Sequence, residues 1–113
     1  MKIEEAIKLV NDYLRKSEVE MDKFGSGLPN YINPKSKLQI LTEYTEIHEF
    51  GWIFYYNSVK YIKTGDFRYA LGGNAPLIIN KHTNELIETG TARETSFYVN
   101  HYIKHGNLKN IKY

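Results

Sequence analysis

The sequence predicts an α+β fold, with a four-stranded, mainly antiparallel sheet and the N- and C-terminal helices packed on one face. Three observations lead to this fold class. Apolar residues recur at helical spacing over residues 3–14, an uninterrupted apolar and aromatic run covers residues 52–56, and two short strand-like segments, 77–80 and 86–89, flank a turn. Helical patterns lie at both ends of the chain and strand patterns lie between them. An antiparallel sheet covered by helices is consistent with this order of elements.

The composition indicates one domain over residues 1–113. A chain of 113 residues can bury one core without a disulfide or a metal. Because there is no cysteine, disulfides, thiolate metal sites and thiol catalysis are excluded. The net charge of +2, from 15 basic and 13 acidic residues, is too balanced to indicate a nucleic-acid partner. We therefore expect no nucleic-acid binding, no membrane span and a cytoplasmic location.

Ten tyrosines are a high number for a chain of this length. Tyrosine combines a large apolar area with a polar tip and is enriched at protein interfaces, yet aromatic residues also favour strands. The tyrosines are therefore consistent with an interface and with an ordinary half-buried sheet.

The first predicted element is an amphipathic helix that fades by Ser17. Its charged residues lie opposite an apolar stripe, the pattern of a helix with one buried face. The stripe comprises Ile3, Ala6, Ile7, Val10, Tyr13 and Leu14. Residues 22–36, rich in glycine, proline and asparagine, predict a connecting loop.

The strand predictions begin at residues 38–48, which we interpret as one long strand with a bulge, because its apolar positions change parity. Gly51 marks a turn, and residues 52–56 predict a central strand covered on both faces. Neighbouring residues in a strand point to opposite faces, so Trp52 or Phe54 should be deeply buried.

The second half of the chain is punctuated by turns. Gly73 or Asn74 is expected at positive φ in a tight loop, and Asn84 in a hairpin turn. The last helix starts near residue 95 and ends at Gly106, with a buried stripe of Val99, Tyr102 and Ile103. We assign structural roles to Gly51, Trp52, Phe54, Gly73, Asn74 and Pro76.

Candidate chemistry is sparse. His101 and His105 have a spacing that can hold a metal, but no third ligand is evident and we expect solvent exposure. The carboxylates near the first hairpin suit a polar strand face better than an acid–base pair. No nucleophile elbow or phosphate-binding motif is present, so we expect no catalytic residue, no metal and no cofactor.

Three segments in order carry a resemblance to a known family: residues 50–58 (FGWIFYYNS), 61–66 (YIKTGD) and 71–81 (LGGNAPLIINK). They resemble the YrhB-like domain, also classed as the immunity protein 35 family of bacterial polymorphic toxin systems. The likeness spans roughly residues 38–103. Asn84 stands where the family usually has glycine in the hairpin turn, a position that asparagine can also occupy.

The resemblance implies a small α+β protein made beside a toxin, whose task is to bind and block that toxin without catalysis. We expect steric occlusion, and the loop 22–36 is a candidate for setting partner specificity. The residues expected to contact the toxin are Glu43, Tyr44, Glu46, Glu49, Tyr55 and Tyr56. Two alternatives stay open: a chaperone-like binder of unfolded chains, and a small ligand-binding domain or enzyme, which would need a deep polar pocket.

Overall fold

The computed structural model describes residues 1–24, 37–71 and 74–113. Within these ranges the strands form a four-stranded antiparallel sheet, in the order β2-β3-β5-β6, and a separate antiparallel pair, β1-β4. The α+β class and the four-stranded antiparallel sheet are confirmed. The helices and strands are α1 (Ile3–Phe24), β1 (Leu38–Ile40), β2 (Glu46–His48), β3 (Gly51–Phe54), β4 (Tyr56–Ser58), α2 (Val59–Thr64), β5 (Leu77–Asn80), β6 (Leu86–Glu88) and α3 (Thr95–His105).

Helix α1 is longer than the sequence pattern predicts. It runs past Ser17 to Phe24, and Glu18 in this extension has a tertiary partner that the local pattern does not reveal. The Glu18 carboxylate accepts a hydrogen bond from the Leu38 backbone N–H (2.8 Å) and pairs with Arg15 (2.9 Å). The predicted loop therefore overlaps the helix at residues 22–24, and its remaining residues, 25–36, lie outside the described residues.

The long strand predicted over residues 38–48 is wrong, because the chain makes two strands there. A 3₁₀ turn at Thr42–Tyr44 separates β1 from β2. β1 pairs with β4, and β2 pairs with β3. The apolar run 52–56 is divided in the same way at Tyr55, which separates β3 from β4. Residues 38–58 therefore contribute β2 and β3 to the four-stranded sheet and β1 and β4 to the two-stranded sheet. The change of parity read as a bulge marks this transfer between sheets.

One face of the four-stranded sheet is covered by α1. Ala6, Val10 and Leu14 of α1 are fully buried against it. The sheet side of this core contains Trp52, Phe54, Leu77 and Ile79. The prediction for Trp52 and Phe54 is confirmed, since they are 8% and 1% exposed.

The opposite face of the sheet is covered by α3, so the expectation of both helices on one face is wrong. Ile53 and Ile78 are fully buried against Val99 and Tyr102. Because consecutive residues of a strand point to opposite faces, strands buried throughout require a cover on each side. The buried stripe of α3 comprises Tyr98, Val99 and Tyr102, whereas Ile103, predicted to be buried, is 61% exposed.

The turn predictions have mixed outcomes. Asn84 adopts a positive φ of 62°, and α3 ends at Gly106 in the left-handed region, as predicted. Gly73 lies outside the described residues, so the positive φ expected at Gly73 or Asn74 stays a prediction. The Asn74 amide donates to the Tyr56 carbonyl (2.7 Å), which ties its loop to the end of β4.

Candidate partner-binding surface

Four of the six residues predicted to contact a partner lie in or beside the outer strand β2, between residues 43 and 49. Tyr44, in the 3₁₀ turn before β2, is 60% exposed, and Ile47, in the middle of β2, is 78% exposed. Glu43 and Glu49 are exposed at the two ends of this segment. We call Glu43, Tyr44, Glu46, Ile47 and Glu49 the β2 edge.

Glu46 belongs to the β2 edge but has both carboxylate oxygens occupied. The Tyr55 hydroxyl donates to Oε2 (2.6 Å), and His48 Nε2 donates to Oε1 (3.0 Å). The hydrogen bond from Tyr55 is the main reason that the pKa of Glu46 lies below its ordinary value. Glu46 is therefore a fixed negative charge, with less capacity than Glu43 or Glu49 for new hydrogen bonds.

The two other tyrosines predicted to contact a partner are less exposed than Tyr44. Tyr55 is half-buried, and burial is the first cause of its raised pKa. Tyr56 packs against the core under α1, and its pKa is raised by burial and then by the charge of Glu88. Tyr55 therefore holds the Glu46 carboxylate through a hydrogen bond, whereas Tyr56 packs against the core on the side of α1.

Ile47 is the residue of this surface that was not among the predicted contacts. The sequence contained a signal for it, because Ile47 is an apolar residue on the parity opposite to Ile40 and Tyr44. That pattern was interpreted as a bulge. In the structure its side chain borders an apolar concavity of about 240 Å³, lined by Ile3, Ile7, Ile40, Thr42, Thr45, Ile47 and Phe54.

A second, open groove lies on the side of the sheet that faces α3. His48 stacks on Phe50 with ring centroids 4.9 Å apart, and Phe50 meets the ring of Tyr102 edge-on. The Asn80 amide donates to the Tyr102 hydroxyl (2.7 Å). The groove has a volume of about 490 Å³, and its polar groups largely bond to one another.

The two histidines of α3 lie close together at its end. The rings of His101 and His105 are 4.4 Å apart, and His101 Nε2 donates to the Lys109 carbonyl (3.2 Å). Within the described residues no group of three histidine, cysteine or acidic side chains is arranged to hold a metal. In the same ranges no helix has the length and apolar character needed to cross a membrane.

Charge is distributed unevenly along the chain. Residues 38–58 contain three glutamates and no lysine or arginine, whereas residues 95–113 contain three lysines and no acidic residue. Although the net charge of the chain is +2, the segment that includes the β2 edge is acidic. A basic partner surface would be attracted to this segment.

Comparisons with known proteins give two matches. A family model described as immunity protein 35 matches residues 4–102. The chain is 38% identical over 52 residues to "Uncharacterized protein YrhB" of Escherichia coli (strain K12), an alignment that covers 46% of this chain and 55% of that protein. The chain thus spans about half the length of that relative. No solved structure matches it.

Proposed function

The chain belongs to the immunity protein 35 family, and on this premise we propose that it binds a cognate bacterial toxin and neutralises it by steric occlusion. The observation that carries this proposal is the family match over residues 4–102, which extends from α1 into α3. The match therefore includes both sheets and the helices that cover them.

The β2 edge is the proposed contact surface. Tyr44 and Ile47 are large apolar side chains held in solvent, and such residues become binding hot spots when a partner covers them. The carboxylates of Glu43 and Glu49 stand at the ends of the surface, where charge steers association. An apolar centre with a charged rim is the usual composition of a protein interface.

Occlusion requires contact area and complementary charge, and it requires no reacting group in the immunity protein. The chain is therefore proposed to act stoichiometrically, with one chain covering one toxin domain. Complete neutralisation of a toxin needs a dissociation constant on the order of nanomolar, or about −12 kcal/mol of binding free energy.

The test is to co-express the chain with the toxin domain encoded by the neighbouring gene and to titrate the purified proteins by calorimetry. We expect cell survival and a saturable one-to-one complex. A toxin domain from an unrelated system serves as the control for specificity and should not bind. Protection at substoichiometric amounts would indicate an enzyme, and weak binding to many unfolded chains would indicate a chaperone-like protein.

A further inference from the structure

We propose, resting on the proposed function, that the open edge of β2 accepts an extended, basic segment of the toxin as an additional strand of the four-stranded sheet. β2 is an outer strand of that sheet, and its inner side pairs with β3. An open strand edge presents backbone donors and acceptors that an added strand can satisfy, which is a recurring mode of peptide recognition.

The pairing register identifies the backbone groups that are available. His48 and Gly51 are paired and close a two-residue turn, so they exchange the hydrogen bonds of a narrow pair. Hydrogen-bonded and non-hydrogen-bonded pairs alternate in an antiparallel ladder, so Ile47, opposite Trp52, directs its N–H and C=O away from β3. No other residue in the described ranges bonds to these two groups.

The side chain of Ile47 adds an apolar contact next to these backbone groups. It is 78% exposed and borders the concavity of about 240 Å³ between β2 and the start of α1. A strand laid along β2 would place alternate side chains on this side of the sheet. One apolar side chain of the toxin strand would cover Ile47 and enter the concavity, which is lined mainly by isoleucines and Phe54.

The charges around β2 favour a basic strand. Glu43 and Glu49 are exposed at its ends, and Glu46 is held ionised by the hydrogen bonds from Tyr55 and His48. Lysine and arginine on the added strand would therefore find the exposed carboxylates of Glu43 and Glu49 on the two sides of Ile47.

The same charges argue against a second copy of this chain as the occupant. Proteins commonly protect an outer strand with lysine or proline, and residues 38–58 contain neither. Two copies paired through β2 would bring their glutamates together with no lysine or arginine from either segment. Like charges on adjacent strands are destabilising, so the edge discriminates in favour of a basic strand.

The backbone contact is tested with Ile47→Pro, which removes the outward N–H and leaves the bonds between β2 and β3 in place. Ile47→Thr is the matched control, because threonine keeps the N–H and the β-branched shape. Against the toxin domain encoded by the neighbouring gene, we expect Ile47→Pro to weaken binding roughly tenfold or more beyond the loss in Ile47→Thr. Should proline disturb folding, hydrogen exchange of the wild-type Ile47 amide is the second measurement, with strong protection expected in the complex.

The charge contact is tested with Glu49→Lys and its matched control Glu85→Lys. Both glutamates are exposed hairpin residues, but Glu85 lies in the turn between β5 and β6. We expect Glu49→Lys to slow association by roughly tenfold at low salt and by less at high salt. Glu85→Lys, which changes the net charge equally, should change the rate much less.

Each outcome has a definite meaning. A tight wild-type complex in which the Ile47 amide stays unprotected and Ile47→Pro binds normally would overturn the strand addition and leave the proposed function standing. A wild-type chain that does not bind the toxin domain would overturn both. Self-association of the free chain that Ile47→Pro abolishes would identify a second copy as the occupant and also overturn this inference.

Discussion

The Tyr55 hydroxyl donates a 2.6 Å hydrogen bond to Glu46 Oε2, joining the bend between β3 and β4 to the outer strand β2. Both residues were expected to contact a partner directly. That stays a prediction, and within the chain the bond lets Tyr55 orient the carboxylate of Glu46, the residue next to the exposed Ile47. The lowered pKa of Glu46, caused first by this bond, means that the carboxylate stays charged through the neutral range.

Tyr55→Phe tests this relationship through stability and pH. Because the folded-state pKa of Glu46 is below its ordinary 4.5, the interaction stabilises the fold above that pH and is lost as pH falls through the folded-state pKa. We expect Tyr55→Phe to raise the pKa of Glu46. Since the carboxylate is partly exposed, the stability loss at pH 7 should be about 0.5–1 kcal/mol and shrink in acid.

The measurements are an NMR titration of Glu46 and urea unfolding at neutral and acidic pH. Tyr44→Phe is the control, because the Tyr44 side chain is exposed and no carboxylate bonds to its hydroxyl in the described residues. Equal stability loss at both pH values would show that Tyr55 contributes through packing alone.

Tyr44 and Tyr56 should respond to truncation in opposite ways. Tyr44→Ala removes a side chain that is 60% exposed, so we expect an unchanged melting temperature and toxin binding weakened by about 2 kcal/mol. Tyr56→Ala removes a side chain packed against the core under α1, so it should cost about 2 kcal/mol or more of stability. Thermal unfolding and calorimetric titration of both variants make the comparison, and an unstable Tyr44→Ala would contradict the exposed position of Tyr44.

Gly51 should be intolerant of any side chain. Its φ is 144°, and an added Cβ would overlap the Ile79 carbonyl oxygen and lie 2.9 Å from the Lys81 nitrogen. Because these are backbone atoms of the neighbouring strand, we expect Gly51→Ala to destabilise the fold by about 3 kcal/mol or more. Gly65→Ala is the control, since Gly65 also has a positive φ but faces open space, and should cost about 1 kcal/mol. Equal losses in chemical denaturation would refute the steric account.

Asn74 is predicted to serve folding and not binding. Its amide donates to the Tyr56 carbonyl, so Asn74→Ala should leave a partly buried acceptor unpaired and cost about 1 kcal/mol. Toxin affinity of the folded variant should equal that of the wild type. Weaker binding with an unchanged melting temperature would show that the loop contacts the partner.

Local sequence patterns determined much of the fold. The helical spacing over residues 3–14, the apolar run at 52–56 and the hairpin turn at Asn84 were sufficient to predict an α+β chain with an antiparallel sheet. They were sufficient because amphipathic periodicity and positive φ are properties of a residue and its near neighbours. The motifs in residues 50–81 also indicated the family.

Tertiary contacts decided the rest. Two features depend on distant partners: the transfer of the chain between sheets at Thr42–Tyr44 and Tyr55, and the placement of α1 and α3 on opposite faces. The same holds for the candidate surface, where Tyr55 and Tyr56 are adjacent in sequence but face different cores. The sequence shows that both side chains are aromatic, but which neighbours cover each of them is decided by the tertiary structure.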